Sequence, residues 1–219
     1  MPLLLEPADI SITYLAEFKE PQINQLKEDS RFSLAQKLTT NFNLKLNDLK
    51  YDVVSISDKF VRFSKFIDRT FFDVSFGLEQ ILVTLNNPAD LAQLKKIFGL
   101  LFDLFEGFPI KSQRFIIQLQ SSTKGDFKGL IQKLSPYSPD KLQNFISGRG
   151  ISYHLGFNEH NLVAFITVGD SLIIDKGVFL YVQLDFSPNK YDPHKTLEVA
   201  KDHFDFLVKG LDLSVWQEV

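Results

Sequence analysis

At 219 residues and 25.1 kDa the chain has room for one large domain or two small ones. Its 44% hydrophobic and 23% charged residues exclude general disorder. The net charge of −3 runs against the basic excess by which nucleic-acid binders neutralise phosphates, and the absence of cysteine excludes disulfides, thiolate catalysis and cysteine-ligated metals.

The 22 Phe, against one Met and one Trp, supply large buried areas with few rotamers to fix. The start, Met1 to Glu6, lacks the basic flank and long apolar run of a signal peptide, and no segment has the roughly 18 uncharged apolar residues of a membrane span. A cytoplasmic protein without membrane contact is expected.

Ile10, Ile12, Tyr14, Ala16 and Phe18 alternate with polar residues, which predicts a half-buried strand over Ile10 to Phe18. Pro21 opens a region of one or two helices, reaching Phe42, with a break near Asp29-Ser30. Four strands follow, Tyr51 to Ile56, Phe60 to Phe66, Phe71 to Phe76 and Gln80 to Asn86, joined by hairpin-length turns. Leu91, Leu94, Ile97, Phe98, Leu101 and Leu104 then recur at helical spacing, with Asn87 as the expected N-cap and Gly107 as the stop.

The second half repeats this order. A strand spans Arg114 to Ser121, and helices cover Lys124 to Leu134 and Pro139 to Ile146. Four strands are predicted at Ile151 to Phe157, Leu162 to Val168, Ser171 to Asp175 and Val178 to Phe186. Pro193 leads into a closing helix carrying Leu197, Ala200, Phe204, Leu207, Val208 and Leu211.

The expected fold is therefore α+β: two tandem β-α-β-β-β-β-α halves, residues 1–109 and 110–219, with antiparallel sheets and helices on one face. Val83-Thr84-Leu85-Asn86 matches Val182-Gln183-Leu184-Asp185, each just before a proline-led helix, as an internal duplication requires. A single helix-grip domain, its sheet wrapped around the last helix, is the alternative.

From Ile10 to Leu211 the element order resembles the duplicated fold of the TATA-box-binding protein family, which implies a saddle of two such halves. That family's DNA-binding face carries many basic side chains and intercalating Phe pairs. This chain departs from both features: it is net acidic, and its one adjacent Phe pair, Phe71-Phe72, begins a strand instead of occupying a hairpin tip. One ring in the core and one partly covered is the expectation there.

Candidate chemistry is sparse. His154, His160, His194 and His203 show no spacing that puts two imidazoles on one helix face. Asp68, Asp73, Asp170, Asp175 and Asp185 sit at turns and strand ends, where carboxylates serve local hydrogen bonds. Gly148-Arg149-Gly150 leads into a strand, the reverse of a phosphate-cradling loop, and Ser121 to Asp126 lacks the glycine spacing of a nucleotide loop. Lys59, Arg62, Lys65 and Arg69 interleave with Phe60, Phe63 and Phe66, but alternation sends Arg62 to the face opposite Lys59 and Lys65.

No catalytic, cofactor-binding or metal-binding residue is assigned. The Phe60 to Phe66 strand is apolar on both faces, Phe60 and Phe66 on one, Val61 and Phe63 on the other. A non-enzymatic interaction protein is expected, using an apolar sheet face or groove to bind a second copy or another protein. The alternative is a small-ligand carrier or hydrolase-like enzyme with an apolar cavity and late-strand carboxylates. Nucleic-acid binding is the least favoured class.

Overall fold

A computed structural model describes residues 2–41, 50–53, 60–67, 70–88, 90–103, 107–134 and 150–215. The fold is α+β. Two long strands, β1 (Leu3–Phe18) and β6 (Ile110–Thr123), lie antiparallel at its centre, paired from Leu5 opposite Thr123 to Phe18 opposite Ile110. The alternation of β1 is realised directly, because Ile10, Ile12, Tyr14, Ala16 and Phe18 are all buried.

Outside β1 lie β5 (Gln80–Asn86), β4 (Thr70–Gly77), β3 (Phe60–Ile67) and β2 (Lys50–Val53) in turn. Outside β6 lie β9 (Val178–Phe186), β8 (Leu162–Asp170) and β7 (Gly150–Phe157). In each half the inner strand pairs with the last strand before the closing helix, and the order then runs outward. The matched tetrapeptides occupy corresponding places: Val83 stands opposite Tyr14, and Val182 opposite Ile117. A short strand, β10 (Leu213–Ser214), runs parallel to Leu3–Leu4 and ties the two ends of the described chain together.

Among the described residues, two long helices cover one face of this sheet. On α2 (Leu91–Phe102), Leu94, Ile97, Phe98, Leu101 and Phe102 are buried. On α4 (Pro193–Gly210), Val199, Ala200, Phe204, Leu207 and Val208 form the matching stripe. Helix α4 starts where the sequence dictates: Pro193 supplies a preset φ, and the Asp192 carboxylate accepts from the Lys195 N–H at 2.8 Å. One hydrophobic core runs through both halves from Leu5 to Val215, so the halves share a sheet and an interior instead of wrapping a single closing helix.

At the seam a polar chain threads this core. The Tyr14 hydroxyl donates to Gln113 Oε1 at 2.7 Å, and Gln113 Nε2 donates to Thr196 Oγ1 and the Tyr191 carbonyl at 2.8 and 2.9 Å. Thr196 Oγ1 donates in turn to the Asp192 carbonyl at 2.8 Å. Burial pushes the Tyr14 phenol far above the ordinary tyrosine range, and the nearby Asp192 carboxylate adds to the shift.

A raised folded-state pKa stabilises the fold fully below the unfolded value and loses that contribution as pH rises. Stability should therefore begin to fall near pH ~10, where Tyr14 of the unfolded chain ionises while the buried phenol does not. Urea unfolding midpoints across that range check this. Tyr14→Phe should flatten the alkaline slope, and an unchanged slope would contradict the assignment.

Several local expectations are corrected. The N-cap of α2 is Asp90, whose carboxylate accepts from Gln93 N–H at 2.7 Å, and not Asn87. Asn87 adopts φ 53° and uses its backbone N–H and side-chain oxygen to bind both polar groups of Ile10. The break before α1 (Glu28–Asn41) falls at Lys27, after a 3-10 turn over Ile23–Leu26. Helix α3 (Phe127–Leu134) begins only at Phe127, not at Lys124.

Ser171 to Asp175 is a loop, leaving three described strands, β7, β8 and β9, where four were expected. Ser171 Oγ captures the N–H groups of Ile173 and Ile174 that a sheet ladder needs, and Lys176 takes φ 55°. The helix expected over Pro139 to Ile146 lies outside the described residues, as do Val54 to Ile56.

Candidate functional site: the uncovered sheet face

The covered face takes every second residue of the strands, and the alternate residues form a second face that, among the described residues, the buried stripes of α2 and α4 leave uncovered. Across it, Leu82, Leu15, Arg114, Asp185 and Val163 stand in one row from β5 to β8. Thr84, Thr13, Ile116, Gln183, Phe165 and His154 form the next. Most of these side chains are half-buried by their neighbours; Val163 and His154 are exposed. The composition is mixed, where an apolar sheet face or groove was expected, and such a mixture suits a surface that must stay in water when unoccupied.

The two halves of this face differ. The first sets the small groups Ser11, Thr13, Ser75 and Thr84 beside Leu15, Leu82 and the Phe71 ring. The second carries Phe165, Phe179 and Tyr181, with Phe165 edge-on to both Tyr181 (5.8 Å) and His154 (4.7 Å). A hydrogen-bonded line follows β9: Tyr181 donates to Gln183, Gln183 donates to Asp185, and Arg114 Nε donates to the same carboxylate. Partial burial raises the Tyr181 phenol pKa, Arg114 opposes the shift and Asp185 reinforces it.

Both arginines of the described strands are held by carboxylates on this face, Arg114 by Asp185 and Arg62 by Asp73 at 2.8 Å. Glu17, at the C-terminal end of β1, and Asp9, near its middle, add exposed negative charge. Sequence alone did not single out Arg114–Asp185 as a pair, because their contact depends on β6 lying beside β9. The sole signal was that each occupies an outward position of its own strand.

The other candidates disperse. Asp170 and Asp175 flank the start of β9, the end opposite Asp185. His154 lies on the uncovered face near its rim. His194 meets Asp103 at 3.2 Å on the helix side. His160 and His203 sit edge to face at 5.0 Å: His160 Nδ1 shares a hydrogen bond with Tyr191 Oη, and His203 Nδ1 donates to the Val199 carbonyl. Among the described residues no three His, Asp or Glu side chains come together as a metal site.

Phe72 is fully buried and Phe71 half-buried, one ring on each face. Pairing sets Arg62 opposite Ser75 and Lys65 opposite Phe72 in the β3–β4 register. Ser121 and Ser122 belong to β6, and Asp126 caps the first turn of α3 through Gly129 N–H at 2.9 Å. Asp68, Lys59, Arg69, Gly148 and Arg149 lie outside the described residues.

Two grooves mark the helix side. One of about 440 Å³ lies between α2 and α4, lined by Leu94, Leu197, Lys95, Glu198, Lys201 and Asp202 among others. One of about 590 Å³ lies beside the start of α4, between Lys19, Phe108, Lys190 and Tyr191. Both mix charged with apolar walls, and Asp192 and Asp103 beside the second are engaged with Lys195 N–H and His194. No described helix is long and apolar enough to cross a membrane. Searches against protein-family models and against curated proteins find no match to this chain.

Proposed function

We propose that the chain is a non-enzymatic protein-interaction module whose working surface is the uncovered sheet face. The observation that carries this reading is a face built across both halves from ordered, half-buried side chains, with its arginines neutralised in place. The arrangement of strands around β1 and β6 supports reading the chain as an internally duplicated, saddle-like fold, in keeping with its resemblance to the TATA-box-binding protein family. The electrostatics count against nucleic acid: Arg62 and Arg114 are already matched by Asp73 and Asp185, while Glu17 and Asp9 repel phosphate.

A second copy of the chain is the simplest partner, because a two-fold contact needs only this one surface. Light scattering over a concentration series should then show a mass approaching twice 25.1 kDa. Ile116→Glu, at the centre of the face, should return the chain to 25.1 kDa without changing its circular dichroism. A wild-type chain of 25.1 kDa at every concentration would exclude the homodimer.

A further inference from the structure

We draw no further inference here: the strongest candidate, the β8–β9 loop that holds Leu172 95% and Ile173 77% exposed, is an apolar tip and nothing in the structure shows what covers it.

Discussion

Phe98→Ala should destabilise the fold by about 3–5 kcal/mol, a large part of the roughly 5–15 kcal/mol that holds a typical domain together. Phe98 is wholly buried on the sheet side of α2. Its ring meets Tyr14 at 6.2 Å, Phe102 at 5.3 Å and Phe115 at 5.9 Å, so it joins the helix to both central strands. Removing it loses the transfer energy of the ring and leaves a cavity between aromatic neighbours that cannot collapse without moving the β1–β6 seam. The change should appear as a lower urea midpoint at unchanged slope. A loss below about 1 kcal/mol would mean that α2 does not pack on the seam as described.

Gln113→Leu should cost about 1–3 kcal/mol for a different reason. Leucine fills much of the same volume, so the cavity is small, but the Tyr14 hydroxyl loses its acceptor, while the Tyr191 carbonyl keeps its bond from the Asn189 side-chain amide at 2.6 Å. Each polar group left unsatisfied in the interior costs about 1–3 kcal/mol. Tyr14→Phe alone should cost less, since Gln113 keeps its two bonds to Tyr191 and Thr196. The double variant should be more stable than the sum of the two single losses implies, because both ends of the bond are then apolar. Simple additivity in urea unfolding would show that the two side chains are not coupled.

Much of this fold was legible in the sequence because its signals are local. The alternation through Ile10 to Phe18 and Val178 to Phe186, and the stripe from Val199 to Val208, each follow from the repeat of a single element. Sequence misled where a polar side chain chose between two backbone uses. Ser171 drew an apolar run, Leu172 to Ile174, out of the sheet, and Asn87 bridged to Ile10 while Asp90 capped the helix. The uncovered face was the least legible part. Arg114 and Asp185 are 71 residues apart, and their meeting follows from β6 pairing with β9, a long-range choice that periodicity does not encode. Expecting apolar character there rested on Phe60 to Phe66, on the outer strand β3, whereas β1, β6 and β9 mix Leu15 and Ile116 with Thr13, Gln118 and Asp185.

The most direct test of the uncovered face as the working surface is photo-crosslinking in cells that naturally contain the protein. A benzophenone amino acid replaces Ile116 at the centre of the face, and in a separate variant Lys96, which is exposed on α2. The account predicts a discrete protein adduct from position 116 and none from position 96, with an adduct of twice 25.1 kDa if the partner is a second copy. No adduct from position 116, or equal adducts from both positions, would contradict it.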